Sequence, residues 1–385
     1  MIRPIAIYLP QFHPVSENDE WWGKGFTEWT NVAKARPLFE GHYQPHLPAD
    51  LGFYDLRLKE ARAAQAEMAK AYGIYGFCYY HYWFNGRRIL ERPFQEVFES
   101  GQPDFPFMLC WANENWTRVW DGGDKHVLLE QNYSEEDDRA HIQSLLPYFK
   151  DDRYIKVNGK PIFSIYRSKL FPNLKRTTNI WREEAGKQGM ELYLCCFATN
   201  HIEEGYLESV GLDAAVDFKP FGDSLTHYRQ LQQEAYKKGY MGRAKNKLAK
   251  AFYRLAKPEK LETVEDYLWN IIDYTEYAAF CAKEATASYK CYPGITPMWD
   301  NTARRKKNFL ALKNATPTAY RKWLSSILQH FKGFGKDEDF LFINAWNEWA
   351  EGNHLEPCQK WGRQYLEATK EALQEAEQGY KGPVA

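Results

Sequence analysis

Short, continuous apolar runs recur along the chain, and segments with a helical period near 3.6 residues separate most of them. The runs expected to form eight strands are residues 5–9, 74–80, 107–111, 161–166, 192–197, 214–218, 294–299 and 340–343. Continuous apolar runs of this length are typical of parallel strands that are buried on both faces. Alternating parallel strands and helices predict an α/β fold, a (β/α)8 TIM barrel with long loops.

Helical patterns fill most of the segments between these runs. Helices are expected at residues 56–72, 93–100, 134–149, 179–188, 318–331 and 361–377. Residues 10–50 are rich in Trp, Gly, Pro and His without clear periodicity, so we expect a long loop that forms one wall of a cleft. Residues 222–290 are expected to form a mostly helical insertion between strands 6 and 7. We therefore expect one barrel domain over residues 1–385, with an insertion at about 222–290.

A doubly wound open sheet is the alternative fold. Such a sheet would usually carry a Gly-rich, phosphate-binding turn after its first strand. The sequence has PQFHP there, at residues 10–14, and no G-x-G-x-x-G or Walker A motif stands between a strand and a helix. This absence argues against a nucleotide-sugar transferase of the Rossmann type.

The last apolar run, residues 340–343, leads into the polar and aromatic segment NAWNEWAEGNHLEP, residues 344–357. Function in a barrel collects where strands end at the carboxyl face. Residues three apart on a strand point to opposite faces, so Glu348 and Glu351 can share a cleft only if the chain curls after Trp346. Gly352 allows such a bend. We predict the curl and take Glu348 and Glu351 as the catalytic pair.

Cleavage of a glycosidic bond requires at least two carboxyl groups, and an aromatic cleft can hold the sugar beside them. One acts as a proton donor with a raised pKa, and the other is ionised. The alternative interpretation is an exposed acidic start of a helix, with both glutamates near the positive end of its dipole.

Other strand ends carry similar groups, which we expect to bind substrate. The expected binding residues are His13, Trp29, His81, Tyr82, Trp111, Asn113, Glu114, Trp116, Asp300, Trp346, Asn347, Trp349 and Glu356. Structural roles remain open for several of them. His13 and His81 can be hydrogen-bonded structural histidines. Glu114 is either a rival catalytic group or half of a salt bridge, and Asp300 can cap the helix that follows it.

Composition narrows the class of ligand. Aromatic residues make up 16% of the chain, with Trp 14, Tyr 26 and Phe 23, and many stand beside polar groups at expected strand ends. This pattern favours a ligand with flat, partly apolar faces, such as an oligo- or polysaccharide. The net charge of −1 predicts neither nucleic acid nor a strongly anionic partner.

The seven cysteines include no CxxC pair or metal-ligand spacing, and most lie in apolar runs. We expect no metal and no cofactor. A Ser-His-Asp or Cys-His mechanism has no supporting motif. The chain enters its first strand within a few residues and has no apolar run of about 18 residues, so we expect a cytoplasmic protein.

One stretch of the expected insertion is strongly basic. Between Lys237 and Lys260 there are nine basic residues and one acid, Glu259, with Leu248, Phe252 and Leu255 on a possible apolar face. Such a segment can make peripheral contact with an anionic membrane, here the inner membrane. The alternative is a solvated basic face whose apolar side packs onto the barrel.

Four motifs carry a family resemblance. They are YLPQFHP (8–14), GFTEW (25–29), WANE (111–114) and WNEWAEG (346–352) with Glu356-Pro357. Residues 1 to about 370 resemble the WbsX-like proteins of bacterial surface-polysaccharide loci, which are similar to glycoside hydrolase family 99. The last of these motifs is the most specific.

The resemblance implies a fold, a reaction and roles. Family 99 enzymes are (β/α)8 barrels that cleave α-mannosidic linkages inside a glycan with retention and without metal. By resemblance, Glu348 is the base that deprotonates the sugar 2-hydroxyl, so that this oxygen attacks C1 and forms a 1,2-anhydro sugar. Glu351 is then the general acid for the leaving oxygen and later the base for water.

Three hypotheses follow. The first is a retaining, endo-acting α-glycoside hydrolase or transglycosylase on a manno- or rhamno-configured bacterial polysaccharide. The second is a glycosyltransferase in the synthesis of O-antigen, the lipopolysaccharide side chain, or of capsular polysaccharide. The third is a glycan-binding barrel without catalysis. The sugar, the linkage and the oligomeric state stay open.

Overall fold

The structure is a computed structural model and describes residues 2–118, 123–238, 270–284, 287–305, 308–335 and 337–379. Nine parallel strands form a nearly closed barrel, which confirms the expected fold. The barrel strands are Arg3–Tyr8, Gly76–Phe84, Phe107–Trp111, Lys160–Ile165, Tyr193–Ala198, Ala214–Asp217, Cys291–Tyr292, Gly294–Ile295 and Phe340–Ile343. Pairing of Arg3–Tyr8 with both Gly76–Phe84 and Phe340–Ile343 joins the first and last parts of the chain.

The seventh strand position is divided between two short strands. Cys291–Tyr292 pairs with Ala214–Asp217, and Gly294–Ile295 pairs with Phe340–Ile343. Only Pro293, which has no backbone N–H to donate, separates the two strands. The sequence predicted one strand over residues 294–299. At Gly294 a Cβ atom would lie 1.7 Å from the Asp217 carbonyl oxygen, so only glycine fits where the barrel closes.

The helices surround this sheet. They are Ser16–Trp22, Glu28–Lys34, Lys59–Ala71, Arg92–Ser100, Glu135–Phe149, Leu174–Gly186, Tyr206–Val210, Asp223–Lys238, Tyr274–Cys281, Pro317–His330 and Gln364–Gly379. The Ser134 hydroxyl accepts a hydrogen bond from Asp137 N and caps its helix, as the sequence indicated. The first two helices lie within residues 10–50, where a loop was expected. That expectation was wrong because helices of seven residues leave little periodicity to detect.

Short strands and 3-10 turns make up further elements of the described chain. The short strands are Arg87–Ile89, Trp116–Arg118, Gly123–Leu129, Lys156–Val157, Ile271–Asp273, Ala311–Lys313, Asn347–Glu348 and Asn353–His354. The 3-10 turns in the described part of the chain include Ser168–Leu170, Asn301–Ala303 and Trp349–Glu351. The last two turns contribute directly to the site described below.

The core is unusually aromatic. Trp111, Trp181, Trp346 and Trp349 are fully buried. Large rings fill the space between strands and helices with much apolar area per residue, and tilted or edge-to-face pairs such as Phe77 with Trp346, 5.1 Å between centroids, are favourable. Much of the aromatic content therefore builds the barrel and does not face a ligand.

The expected insertion falls partly outside the described residues. Its described parts include the helices Asp223–Lys238 and Tyr274–Cys281. The basic stretch from Lys237 to Lys260 lies outside them except for the backbone of its first two residues, so membrane contact stays a prediction. Within the described ranges, no helix is long and apolar enough to span a bilayer.

Candidate active site

The chain curls sharply just after the last barrel strand, Phe340–Ile343. Asn347–Glu348 pairs antiparallel with Asn353–His354, and the 3-10 turn Trp349–Glu351 joins them. Gly352 ends the turn at φ 52°, in the left-handed region that glycine adopts readily. Residues three apart eclipse one another in a 3-10 turn. Glu348 and Glu351 accordingly line one cavity of about 250 Å³, as the predicted curl requires.

A single guanidinium, that of the cavity-lining Arg304, contacts three carboxyl groups. Arg304 Nη1 donates to Glu351 Oε1 at 2.8 Å, and Nη2 donates to Glu348 Oε2 at 3.1 Å. The same side chain lies 3.0 Å from Glu28 Oε2. Glu28 is fully buried on the second helix. Arg304 follows the 3-10 turn Asn301–Ala303, so three separate segments meet here: one carries the cation and two carry the carboxyl groups.

Burial sets the protonation of the pair. Loss of water raises the pKa of Glu348 to about 8; Arg304 opposes this shift, while the negative charges of Glu351 and Glu28 add to it. Burial also raises the pKa of Glu351, again against the effect of Arg304. A carboxyl group that holds its proton near neutral pH can serve as an acid, and its ionised form is a stronger base than an ordinary carboxylate.

Aromatic and amide groups form the walls of the cavity. The aromatic residues lining it are Trp22, Tyr80, Tyr82, Trp116, Tyr166 and Phe218. Trp116 meets Tyr82 edge to face, with ring centroids 5.3 Å apart. Gln11 donates from Nε2 to the Tyr82 hydroxyl at 3.2 Å, while its buried Oε1 has no hydrogen-bond partner within the described ranges. Flat faces beside hydrogen-bonding groups suit a sugar ring.

Of the expected binding residues, Tyr82, Glu114 and Trp116 line the cavity. Glu114 accepts from Arg167 Nε at 2.8 Å, which matches the salt-bridge alternative for this residue. Asn113 is fully buried beside them: its Oδ1 accepts from Arg167 N at 2.8 Å and its Nδ2 donates to the Tyr133 hydroxyl at 3.0 Å. Asn113 thus supports the wall without facing the cavity.

Three expected binding residues, Asn347, Trp349 and Glu356, are buried within the curled segment that carries Glu348 and Glu351. Asn347 bonds the backbone of Leu9 twice, accepting from its N at 2.7 Å and donating to its O at 3.0 Å. Glu356 accepts from Trp349 Nε1 at 2.6 Å and from the Tyr54 hydroxyl at 2.8 Å. Burial raises the pKa of Glu356 to about 7. These bonds fix the curl and hence the direction of the Glu348 and Glu351 carboxyl groups.

Four further expected residues are buried in the core, and a fifth, Trp29, is partly buried and packs against it. His13 Nδ1 donates to Pro10 O at 3.0 Å, and His81 shares a hydrogen bond of 2.9 Å with His141. Burial lowers the pKa of His13 to about 4 and that of His81 to about 3, so both rings are neutral. The indoles of Trp29, Trp111 and Trp346 pack against other rings: Trp29 against Trp349, Trp111 against His141 and Trp346 against Phe77.

Asp300 lies at a second cavity of about 260 Å³, not at the first. Its Oδ1 accepts from Thr302 N at 3.0 Å and caps the 3-10 turn, which was the alternative left open by the sequence. His42 accepts from Leu38 N at Nδ1, so its Nε2 carries the proton and donates to Asp300 Oδ2 at 2.6 Å. Asp300 N also donates to Glu351 O at 2.7 Å. Asp300 thereby connects the segment that carries Arg304 to the turn Trp349–Glu351.

The sequence did not single out Gln11, Trp22, Glu28, Tyr80, Tyr166, Arg304 or Arg305. The available signal for Gln11 and Glu28 was their position inside the motifs PQFHP and GFTEW. Arg304 and Arg305 begin the basic run RRKK shortly after the seventh expected strand. Within the part of the chain that the structure describes, no group of three or more His, Cys, Asp and Glu residues could hold a metal ion.

Comparison with known proteins adds relatives at the level of sequence. A protein called "Uncharacterized protein WxcX" from Xanthomonas campestris pv. campestris is 39% identical over 374 residues, which make up 97% of this chain and 50% of the relative. A second strain of the same organism gives the same values. The chain spans about half the length of the curated relatives it matches.

Solved structures share the fold. The GH99 endo-alpha-mannosidase from Bacteroides thetaiotaomicron has a TM-score of 0.54 and 14% identity, with 99% of each chain covered. A glycoside hydrolase-like protein also has a TM-score of 0.54, with 13% identity, 96% of this chain and 93% of its own chain covered. At this level of identity the likeness establishes the barrel architecture alone.

The family comparison covers nearly the whole chain. The family model described as "Glycosyltransferase WbsX" matches residues 4–369, a range that contains every residue of the cavity. The chain therefore belongs to the glycosyltransferase WbsX family.

Proposed function

We propose that this chain is a retaining, endo-acting α-glycoside hydrolase or transglycosylase. Its substrate would be a manno- or rhamno-configured bacterial polysaccharide. The observation that carries the proposal is the placement of Glu348 and Glu351 on one cavity, in contact with one guanidinium. Two carboxyl groups facing one aromatic cleft form the minimal acid and base pair for this chemistry.

The proposed first step forms a 1,2-anhydro sugar. Glu348 takes the proton of the 2-hydroxyl, and that oxygen attacks C1 of the same ring. The bond from C1 to the glycosidic oxygen breaks, and Glu351 gives its proton to the departing oxygen. The ring thus inverts at C1, with Glu348 protonated and Glu351 ionised.

The second step returns both groups to their starting state. Glu351 removes a proton from water or from an acceptor hydroxyl, whose oxygen attacks C1. The C1 bond to the 2-oxygen breaks, and this oxygen regains its proton from Glu348. Two inversions give overall retention, and the choice between water and a hydroxyl separates hydrolysis from transfer. A suitably oriented 2-hydroxyl is required, which leads to manno- and rhamno-configured sugars.

Arg304 has a positioning role in this scheme. Its guanidinium contacts both carboxyl groups, while Glu28 holds it from the buried side. The positive charge limits how far burial raises the pKa of either glutamate. One residue therefore adjusts the orientation and the acidity of the pair together.

A glycosyltransferase is the second candidate, and the description of the family favours it. The same cavity would then pass a sugar from an activated donor to an acceptor in polysaccharide synthesis. Titration with nucleotide sugars separates the two candidates. Saturable binding that depends on cavity residues favours transfer from a nucleotide donor, and its absence favours the hydrolase or transglycosylase.

The proposal is tested by incubating the chain with manno- and rhamno-configured oligosaccharides and recording proton NMR spectra at once. We expect α-linked substrates to be cleaved internally and the product to appear first as the α-anomer. Proton transfer typically contributes roughly 10²- to 10⁴-fold, so Glu348→Gln and Glu351→Gln should each lower the rate by about that factor. Glu135→Gln, at an exposed surface ion pair, is the control. Initial β-anomer, or full activity in either variant, would contradict the mechanism.

A further inference from the structure

Arg305 lines the cavity, and among the described residues it takes part in none of the ion pairs there. It follows Arg304 directly and is half-buried at the cavity wall. Within the described ranges, every other charged side chain that lines the cavity is paired: Glu114 with Arg167 at 2.8 Å, and both catalytic glutamates with Arg304. The Arg305 guanidinium is therefore available to a ligand.

The same cavity offers neutral donors. Tyr80 and Tyr166 line it, and their hydroxyls make no hydrogen bond within the described ranges. Burial raises the pKa of both hydroxyls well above the usual value, so they keep their protons and can donate. Tyr80, Tyr166 and Gln11 can therefore hydrogen-bond to neutral sugar hydroxyls without a cation.

An arginine adds a positive charge, which a neutral sugar does not need for binding. Its planar fork matches the two oxygens of a carboxylate or phosphate, and such charge-assisted bonds are roughly twice as strong as neutral ones. We propose that the glycan bound in this cavity carries an anionic substituent, a carboxylate or a phosphate group, that pairs with Arg305. The inference rests on the proposed function in placing a glycan in this cavity. The net charge of −1 gave no indication of it, because the effect is local.

A purely internal role for Arg305 makes a different prediction. Its charge also lowers the pKa of Glu351, although the effect of Arg304 is larger. An internal role would change the behaviour of Glu351 whatever the charge of the ligand. Pairing with a ligand makes the effect of Arg305 depend on whether that ligand is anionic.

The test varies ligand and protein together. The full chain is titrated by NMR at low salt with methyl α-D-mannopyranoside, methyl α-D-mannopyranosiduronate and inorganic pyrophosphate. The first two differ in one carboxylate. We expect an anionic probe to bind about ten-fold more tightly than the neutral one, in line with a hydrogen bond to a charged group. Arg305→Gln should abolish this preference and Arg305→Lys should keep part of it, while Arg321→Gln, at a surface pair away from the cavity lining, should keep it in full.

Each outcome decides the question. Preference for the uronate assigns the anion to a sugar carboxylate, and Arg305-dependent binding of pyrophosphate assigns it to a phosphate. If neither anion binds through Arg305, or if the preference survives Arg305→Gln, the proposal is overturned. Binding is measured here without turnover, so the two proposals can fail separately. A chain that prefers the anionic probe but cleaves no glycan would contradict the proposed function and still support this inference.

Discussion

At the scale of single residues, the acidity of Glu348 and Glu351, the proposed catalytic pair, depends on burial and on Arg304. Burial raises the pKa of Glu348 to about 8, and Arg304 works against this shift. Under the proposed mechanism Glu348 must be ionised to accept the proton of the 2-hydroxyl. The acidic limb of the kcat/KM profile should therefore lie far above the ordinary glutamate pKa, with activity falling as the pH drops through about 8.

Removing the opposing charge tests the sign of this effect. Arg304→Gln should move the acidic limb to still higher pH, because the ionised carboxylate loses its cation. Arg321→Gln, on the exposed face of the helix Pro317–His330, should leave the limb in place. Rates of glycan cleavage between pH 5 and 10 measure both. A limb that stays fixed or moves to lower pH in Arg304→Gln would refute this role of Arg304.

Arg304 and Glu28 should also be coupled in stability. Glu28 is fully buried, so loss of Arg304 leaves an uncompensated buried charge, at a cost of roughly 3–5 kcal/mol in the free energy of unfolding. The double variant Glu28→Gln with Arg304→Gln should cost less than the sum of the two single variants. Denaturant unfolding of the four proteins provides the cycle. Additive costs would mean that the pair does not stabilise the fold as a unit.

At the scale of elements, the turn Trp349–Glu351 determines where Glu351 points. Gly352 ends it at φ 52°, and a Cβ atom there would lie 2.9 Å from Asp300 Cβ and its carbonyl oxygen. Gly362 has the same φ of 52° but nothing within 4 Å of its added Cβ. Alanine at either site bears the left-handed strain, roughly 1–2 kcal/mol. Only Gly352→Ala must also displace Asp300, which bonds the backbone of Glu351.

The two glycine variants therefore form a matched pair. We expect Gly352→Ala to lose more stability than Gly362→Ala and to lose activity besides, since Glu351 shifts with the turn. Thermal unfolding and initial cleavage rates of both variants give the comparison. Equal stability and equal activity in the two proteins would show that contact with Asp300 does not position the turn.

Elements also show what local sequence can and cannot predict. The cap at Ser134 and the buried strands were predicted because their signals are local: a hydroxyl before four acids, and runs of apolar residues. The helix Glu28–Lys34 was missed. It is short, and burial of Glu28 and Val32 together with the capping box of Thr27 and Thr30 stabilises it. Such tertiary support leaves no periodic pattern.

At the scale of the whole molecule, the barrel was predictable and the site only partly so. Closure of the barrel brings Arg3–Tyr8 beside Phe340–Ile343, which places YLPQFHP against WNEWAEG. Arg304, in contrast, is 276 residues from Glu28 and 44 from Glu348 in sequence. A single sequence gives no sign that such distant residues are in contact. The ion pairs of Arg304 with the three carboxyl groups were therefore seen only in the structure.

The central claim is that Glu348 and Glu351 act on one sugar ring, and the most direct test is a crystal structure. Crystals of Glu351→Gln, soaked with a manno- or rhamno-configured oligosaccharide, would give the distances from residues 348 and 351 to the sugar atoms. The account predicts Glu348 within about 3.2 Å of the 2-hydroxyl and the residue 351 side chain within about 3.2 Å of the glycosidic oxygen. A glycan bound in the cavity with both carboxyl positions out of reach of these atoms, or bound elsewhere on the barrel, would contradict it.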